Sequence, residues 1–272
     1  MIAIQGERGS YSETAALLLL GQAVEIKCCK HFKEVFSATS TQQVQSCLVP
    51  IENSLTGSIH KNYDLLLRHR LKIIREINLP ICHSLIAFPG VCFSQIETVI
   101  SHPVALDQCE KFFEKFPKLK RKSAYDTSGT VQQVMQQKMQ TCAAIASSQA
   151  AEFHGAQVLM ERIEDNKENL TRFVLLSRHL KISPSADKTS VAFSFENKTG
   201  GLFKCLSVFA QHHIDLMKIE SRPIHGQPWE YLFYLDFLGN TKDKQTRSAL
   251  NRLSEATNFL EVLGCYPSAP RD

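Results

Sequence analysis

The chain has 272 residues, of which 43% are hydrophobic, with 12 glycines and 10 prolines. This length and composition are typical of one large globular domain or two smaller ones, and they exclude a disordered or fibrous protein. The net charge of +4 comes from 31 basic and 27 acidic residues. The basic residues are dispersed apart from Lys118-Leu119-Lys120-Arg121-Lys122, which we interpret as a solvated loop, so no nucleic-acid partner is expected. The longest apolar stretch, residues 15–20, is too short to span a bilayer, so no membrane partner is expected.

The nine cysteines are odd in number and scattered, and no Cys-x-x-Cys or His-Glu-x-x-His pattern occurs. This usage is typical of free thiols in a reducing compartment, and it predicts neither a disulfide framework nor a metal site. The first residues already form a strand pattern, without the basic and apolar regions of a secretory signal. We therefore expect a cytoplasmic protein.

The first two thirds of the chain alternates strand and helix patterns, which predicts an α/β architecture. The assignments rest on the spacing of apolar side chains, such as the helical spacing of Cys109, Phe112 and Phe116. Strands are predicted at 2–4, 46–50, 142–146 and 171–177, an extended segment at 72–88, and helices at 10–20, 59–70, 104–116, 127–138 and 147–154.

A polar segment with Pro184, residues 177–188, is predicted to be a linker. Beyond it the patterns predict a strand at 190–195, a helix that opens at Gly200-Gly201, strands at 214–220 and 229–238, a helix at 242–256 and a strand at 258–264. This βαββαβ order is ferredoxin-like. The sequence thus predicts two domains, 1–178 and 189–266.

Three turns in the first domain, residues 6–12, 50–58 and 125–130, join a strand to a helix start and contain glycine and hydroxyl side chains. A helix start attracts anions because its first N–H groups are unpaired and its dipole is positive there. Ser10, Ser54 and Thr127 could instead be ordinary N-caps.

The segment Asn169-Leu170-Thr171-Arg172-Phe173 leads into an apolar strand, where packing alone does not require Thr-Arg. An arginine can hold a carboxylate with two hydrogen bonds, and a threonine hydroxyl can donate and accept. Together with the three turns, this segment favours a site for a small polyanion. Neither a P-loop nor a Gly-x-Gly-x-x-Gly turn occurs, so a nucleotide site is not favoured.

In these segments the sequence resembles prephenate dehydratases with a C-terminal ACT regulatory domain. The resemblance covers nearly the whole chain. The matching segments are residues 6–12, Pro50-Ile51-Glu52-Asn53-Ser54 with Gly57, Ser84-Leu85-Ile86-Ala87, Ser101-His102-Pro103, Gln108-Cys109, Asp126-Thr127-Ser128-Gly129, residues 143–147, Asp165, Asn169 with Thr171-Arg172-Phe173, and, in the ACT part, residues 200–202 and 219–223.

The resemblance implies a catalytic domain of two α/β lobes, arranged like a type II periplasmic binding protein, followed by a ferredoxin-like βαββαβ ACT domain. It implies a hydro-lyase that converts prephenate to phenylpyruvate, carbon dioxide and water in L-phenylalanine biosynthesis, without a cofactor. Members of the family are often fused to an upstream chorismate mutase domain. None is expected here, because the chain begins at the dehydratase strand.

The resemblance also implies the roles of individual residues in the dehydratase site. The Thr171 hydroxyl would hydrogen-bond the leaving hydroxyl, with its proton supplied by Glu52 or a water, so Thr171 and Glu52 are the predicted catalytic residues. The predicted substrate-binding residues are Ser10, Asn53, Ser54, Thr127, Ser147, Arg172 and Phe173.

For the ACT domain, the resemblance implies a homodimer or homotetramer with L-phenylalanine as allosteric effector. The effector would lie between Gly200, Gly201 and Leu202 of one subunit and Glu220, Ser221, Arg222 and Pro223 of its neighbour. Two positions depart from the family: Gly201 stands where the motif reads Gly-Ala-Leu, and Asp215 where asparagine is common. An extra negative charge at Asp215 would favour an ammonium over a carboxylate.

Two alternatives remain open at the level of the sequence. One is an arogenate dehydratase, whose substrate carries an amino group in place of the side-chain keto oxygen of prephenate. The other is a non-catalytic protein that binds small anions or senses amino acids on the same fold. Loss of Thr171 would have favoured the second alternative, and Thr171 is present.

Overall fold

The computed structural model describes residues 1–180, 182–224, 226 and 229–270. The strands are β1 (Ile2–Gln5), β2 (Ile26–Cys29), β3 (Ser46–Asn53), β4 (Gly57–Ser58), β5 (Lys72–Pro80), β6 (Ser84–Ala87), β7 (Thr98–Ser101), β8 (Lys120–Ser123), β9 (Cys142–Ala146), β10 (Gln157–Met160), β11 (Leu170–Ser177), β12 (Lys188–Ser194), β13 (Leu216–Pro223), β14 (Tyr231–Leu238) and β15 (Phe259–Tyr266). The helices are α1 (Tyr11–Leu20), α2 (Phe32–Ser40), α3 (His60–His69), α4 (Pro103–Asp107), α5 (Glu110–Lys115), α6 (Thr127–Gln136), α7 (Ser148–His154), α8 (Gly201–Gln211) and α9 (Lys244–Glu255).

One predicted helix, residues 104–116, is two helices in the structure. Helix α4 ends at Asp107, and Cys109 has the non-helical dihedral angles φ −121° and ψ 35°. The Asp165 carboxylate accepts the N–H groups of Glu110 and Lys111 at 2.9 and 3.0 Å. The second helix therefore begins where a distant carboxylate satisfies its first N–H groups, which periodicity along the chain does not reveal.

The chain forms two compact units, Met1–Tyr63 with Asn78–Phe173, and Asp64–Ile77 with Val174–Asp272. We call them unit 1 and unit 2. Lys181 of the predicted linker lies outside the described residues. The domain boundaries 1–178 and 189–266 stay a prediction.

Unit 1 contains two α/β lobes. In the first lobe β1 pairs in parallel with β2 and β3, β4 is antiparallel to β3, and β11 lies beside β3. In the second lobe the strand order is β10-β6-β9-β7-β8. Apolar side chains bury this second sheet on both faces, with Leu85 and Ile145 in one cluster and Ile86 and Ala144 in the other. In each lobe, helices begin just after strand ends, such as α1 after β1 and α6 after β8.

Unit 2 contains the predicted βαββαβ order, formed by β12, α8, β13, β14, α9 and β15. Its strand order is β13-β14-β12-β15, with β5 paired in parallel to β15. The core between the sheet and its two helices includes Phe193, Phe209, Phe237 and Leu253. Among the described helices of the whole chain, none is long and apolar enough to cross a membrane.

Candidate active site

A cavity of about 450 Å³ lies between the two lobes of unit 1. It is large enough for a small organic acid, and its lining is contributed by the strand ends and helix starts of both lobes. The described residues that line it include no lysine or arginine. They are Gln5, Ser10, Tyr11, Ser12, Phe32, Pro50, Asn53, Thr56, Ile59, Ile81, His83, His102, Val104, Ala105, Gln108, Tyr125, Asp126, Thr127, Thr171 and Phe173.

Two ten-residue helices begin at this cavity. Ser10 is the N-cap of α1, and its hydroxyl accepts the N–H of Glu13 at 3.4 Å. Asp126 is the N-cap of α6, and its carboxylate accepts the N–H of Gly129 at 2.8 Å. The earlier N–H groups of each first turn have no partner within the helix, so both helix starts attract an anion. Ser10 therefore caps α1 and also lines the cavity.

The Asp126 carboxyl is itself a buried acid in the cavity wall. Burial raises its pKa above the ordinary value, and the charge of Glu7 adds to this, whereas the N–H of Gly129 and the nearby His102 lower it. A carboxylate at this position opposes a bound anion, and burial disfavours its charged form.

Asn53 and Thr171 form the most constrained pair of side chains in the site. The Asn53 Oδ1 accepts the backbone N–H groups of Leu55 and Thr56, both at 3.0 Å. A backbone N–H can only donate, so these two bonds fix which end of the Asn53 amide is oxygen. The opposite end, Nδ2, is therefore the donor. Its two N–H groups are shared among the Asn169 Oδ1 at 2.7 Å, the Thr171 Oγ1 at 3.0 Å and the Leu170 carbonyl at 3.1 Å.

This arrangement determines what the Thr171 hydroxyl can do. Its oxygen already accepts a hydrogen bond from Asn53, so its own proton can be donated to a group in the cavity. A bond accepted by a hydroxyl oxygen also strengthens the bond that the hydroxyl donates. Thr171 and Phe173 both line the cavity, as expected for residues two apart on strand β11.

Arg172 is not among the residues that line the cavity. Side chains alternate along a strand, so Arg172 points to the face of β11 opposite Thr171. There its Nη1 lies 3.4 Å from the Glu52 Oε2, and the side chain is 11% exposed. The same alternation on β3 separates Glu52 from Asn53. The structure thus brings these two predicted site residues to each other and not to the cavity.

Ser54 and Ser147 also hold the protein together instead of lining the cavity. The Ser54 hydroxyl donates to the Glu168 carbonyl at 3.0 Å and accepts the N–H of Leu170 at 2.9 Å. The Ser147 hydroxyl caps α7 and donates to the Gly9 carbonyl at 3.0 Å. Thr127, by contrast, lines the cavity at the start of α6.

Tyr11, His83 and Gln108 are among the cavity residues that have no role predicted from the sequence. The Tyr11 hydroxyl lies 3.0 Å from the His83 Nδ1, and the His83 Nε2 lies 2.9 Å from the side-chain amide of Gln108. Tyr11 and Gln108 belong to segments that carry the family resemblance, which was the available signal. His83 precedes such a segment by one residue, and only the structure brings it to the cavity.

In unit 2 the predicted effector residues belong to two elements. Gly200 is the N-cap of α8 with φ +79°, and Gly201 begins the helix. A Cβ on Gly201 would lie 2.6 Å from the Phe195 ring, so the glycine makes room for this ring. On β13, the Arg222 Nη2 lies 2.6 Å from the Asp64 carboxylate, and Asp215 is exposed just before the strand.

Among the described residues, no group of three or more His, Cys, Asp or Glu side chains could hold a metal ion.

The profile of the prephenate dehydratase family matches residues 2–181. This chain belongs to the prephenate dehydratase family. The assignment makes it a dehydratase of the lyase class with a role in phenylalanine biosynthesis, and the predicted family and function are confirmed at that level. The match ends before the predicted ACT domain.

Relatives and solved structures of this family agree with the assignment. Arogenate dehydratase/prephenate dehydratase 1 of Arabidopsis thaliana, a chloroplastic protein, is 43% identical over 98% of this chain and 71% of its own length. The structure of prephenate dehydratase from Arthrobacter aurescens in complex with L-Phe is 30% identical, with a TM-score of 0.89, over 98% of this chain and 89% of that one.

A third similar protein carries a different description. GqqA, described as a novel type of quorum quenching acylase, is 28% identical, with a TM-score of 0.90, over 99% of this chain and 98% of that one. The predicted α/β class, with a two-lobed domain of the type II periplasmic-binding kind, is confirmed by the solved prephenate dehydratase structures.

Proposed function

We propose that this dehydratase acts on prephenate and that Thr171 is its catalytic residue. The observation that carries the proposal is the orientation of the Asn53 amide, which donates to the Thr171 oxygen at 3.0 Å and leaves the threonine proton for the cavity. Prephenate has a ring hydroxyl that must leave and two carboxylates that must be held.

The chemistry needs little from the protein beyond orientation and one hydrogen-bond donor. Loss of the ring carboxylate as carbon dioxide, with expulsion of the ring hydroxyl as hydroxide that takes a proton from solvent to become water, makes the ring aromatic and supplies the driving force. The electron pair of the breaking C–C bond enters the ring as the C–O bond breaks. Thr171 donates to the departing oxygen, where negative charge develops, so its contribution is largest in the transition state.

The carboxylates need donors, and the described cavity lining supplies them without a lysine or arginine. The starts of α1 and α6 offer first-turn N–H groups and positive helix ends, although Asp126 accepts the N–H groups of Ser128 and Gly129 on α6. Side-chain donors such as Ser12 and Thr127 also line the cavity. This replaces the predicted cradle at Arg172, whose guanidinium lies against Glu52 on the other face of β11.

The test is to incubate the purified protein separately with prephenate and with arogenate. Formation of phenylpyruvate from prephenate and of phenylalanine from arogenate is followed by chromatography, with a Thr171→Ala variant as control. We expect a higher kcat/KM for prephenate. A higher kcat/KM for arogenate would make the protein an arogenate dehydratase, a name that its Arabidopsis relative also carries. No turnover of either compound would overturn the proposal.

We also propose that unit 2 is an ACT domain that binds L-phenylalanine and lowers dehydratase activity, in a homodimer or homotetramer. Support comes from its βαββαβ order, from the helix start at Gly200-Gly201, and from the related structure that holds L-Phe. Calorimetry of the full chain with L-phenylalanine should show binding without substrate, with D-phenylalanine as control. A flat titration at millimolar L-phenylalanine would contradict the effector role.

The cytoplasmic location stays a prediction.

A further inference from the structure

Three side chains at one end of the cavity form a continuous hydrogen-bonded chain. The Tyr11 hydroxyl lies 2.5 Å from the Cys82 carbonyl oxygen and 3.0 Å from the His83 Nδ1. The His83 Nε2 lies 2.9 Å from the side-chain amide of Gln108. Tyr11, His83 and Gln108 all line the cavity, whereas Cys82 takes part through its backbone.

The proton positions along this chain follow from what each group can do. A carbonyl oxygen only accepts, so the single hydroxyl proton of Tyr11 is donated to Cys82. The Tyr11 oxygen must then accept at the His83 Nδ1, which requires a proton on Nδ1. A neutral imidazole has one N–H, so the Nε2 of a neutral His83 is an acceptor.

The surroundings of His83 favour the neutral imidazole over the charged one. The residue is 2% exposed, and burial lowers the pKa of the imidazole. The charge of Glu164 acts in the opposite direction, and so does the bond to Gln108 if the amide oxygen faces Nε2. The Glu164 Oε2 accepts the backbone N–H of His83 at 2.8 Å, so this carboxylate oxygen is already hydrogen-bonded. The Tyr11 ring packs edge-on against the imidazole, with the ring centroids 5.8 Å apart.

The orientation of the Gln108 amide is then decided. A half-turn of a glutamine amide exchanges its oxygen and nitrogen in place, so its partners determine which end points where. With Oε1 toward Nε2, His83 would have to carry protons on both nitrogens. With Nε2 an acceptor, the amide N–H₂ must face the imidazole, and the amide oxygen points away from it.

We propose that Tyr11 and His83 are positioning residues that turn the Gln108 carbonyl oxygen toward the substrate. This role rests on the proposed function, because it makes the Gln108 oxygen a hydrogen-bond acceptor for the substrate that reacts at Thr171. An acceptor oxygen binds a hydroxyl or an ammonium group and does not bind a carboxylate. Gln108 thus selects the part of the substrate that carries a donor, which is the ring hydroxyl of prephenate.

The proton arrangement is tested by nuclear magnetic resonance on the full chain labelled with ¹⁵N-histidine, at neutral pH and without substrate. A long-range ¹H–¹⁵N correlation distinguishes a protonated ring nitrogen from an unprotonated one, and the His83→Gln variant identifies the His83 signals. We expect a protonated Nδ1 and an unprotonated Nε2. A protonated Nε2, alone or together with Nδ1, would overturn the proposal.

The positioning role is tested by steady-state kinetics with prephenate. His83→Leu removes the acceptor for the Gln108 amide, so kcat/KM should fall about 10- to 100-fold, as for a misplaced contact. His83→Gln keeps an acceptor oxygen near the Nε2 position and should restore most of this loss. Unchanged kcat/KM in His83→Leu would overturn the role. His179→Gln, an exposed position outside the cavity, is the matched control.

The two tests separate this inference from the proposed function. If neither prephenate nor arogenate is turned over, the proposed function fails while the resonance spectrum still decides the proton arrangement. If turnover is found and His83 carries its proton on Nε2, the positioning inference alone fails.

Discussion

At the scale of single residues, the alternation of side chains along β3 and β11 decides which predicted residues reach the cavity. Thr171 and Phe173 share one face of β11, and Arg172 lies on the other, near Glu52. The motif Asn169-Leu170-Thr171-Arg172-Phe173 therefore combines two tasks in adjacent positions. One face carries the hydroxyl donor, and the other carries an ion pair between neighbouring strands.

Replacing Thr171 tests the donor. Thr171→Ala should lower kcat by about 100-fold with a much smaller change in KM, because the hydrogen bond is strongest in the transition state. Thr171→Ser keeps the hydroxyl and should retain most of the activity. Steady-state assays of both variants measure this difference. A kcat of Thr171→Ala within twofold of the unchanged protein would exclude the donor role.

Replacing Arg172 separates a structural role from substrate binding. The ion pair with Glu52 is partly buried, since the two side chains are 11% and 33% exposed. Arg172→Met should lower the free energy of unfolding by about 1–3 kcal/mol, measured in urea, while KM changes little. Glu52→Gln and the double variant complete a cycle that isolates their coupling. A large rise in KM at unchanged stability would instead restore the predicted carboxylate contact.

At the scale of elements, the turn between β1 and α1 is held by helices of the other lobe. The Ser128 hydroxyl on α6 donates to the Arg8 carbonyl, and the Ser147 hydroxyl before α7 donates to the Gly9 carbonyl. Gly9 has φ +81°, and a Cβ there would lie 2.9 Å from the Ala150 Cα. The absence of a side chain at Gly9 lets the two lobes approach beside the cavity.

A pair of glycine substitutions tests this close approach. Gly90 has nearly the same dihedral angle, φ +84°, but a Cβ there would meet nothing within 4 Å. Gly90→Ala should cost about 1–2 kcal/mol for the left-handed backbone alone. Gly9→Ala should cost a further 1–3 kcal/mol or so, because its Cβ meets the backbone of α7, and it should also lower activity. Equal losses in urea unfolding for the two variants would refute the steric contribution of α7.

At the scale of the whole molecule, unit 2 is assembled from segments far apart in the sequence. The Lys188 Nζ lies 3.0 Å from both carboxylate oxygens of Glu76, and the two side chains are 6% and 3% exposed. The N–H of Ala269 also donates to Glu76 at 2.9 Å. At Gly264, a Cβ would lie 2.3 Å from the Ile73 carbonyl oxygen, so glycine permits the pairing of β15 with β5.

We expect Lys188 and Glu76 to stabilise the fold only when both are present. Lys188→Met removes an ammonium that contacts both oxygens of the buried Glu76 carboxylate, so the free energy of unfolding should fall by about 3–5 kcal/mol. The double variant Glu76→Gln, Lys188→Met should be considerably more stable than Lys188→Met alone. Urea unfolding of the full chain measures both differences. A double variant as unstable as the single one would show that altered packing, and not the lost attraction between Lys188 and Glu76, causes the loss.

The sequence by itself determined the local elements and the family. Periodicity located most strands and helices, including the βαββαβ order, because the pattern of apolar side chains along the chain reflects which face of each element is buried. The glycine turns and the Asn-x-Thr-Arg-Phe segment predicted a site for a small polyanion. Five of the predicted residues line one cavity in the structure: Thr171, Asn53, Ser10, Thr127 and Phe173.

Only the tertiary structure decided how these residues are shared between chemistry and architecture. The sequence predicted site roles for Arg172, Glu52 and Ser54. In the structure, strand alternation places Arg172 beside Glu52, and the Ser54 hydroxyl bonds to the backbone of Glu168. Tyr11, His83 and Gln108 come from three separate segments, so no local pattern could join them. The physical reason is that a hydrogen bond depends on which groups meet in space, whereas periodicity records only which side of an element is buried.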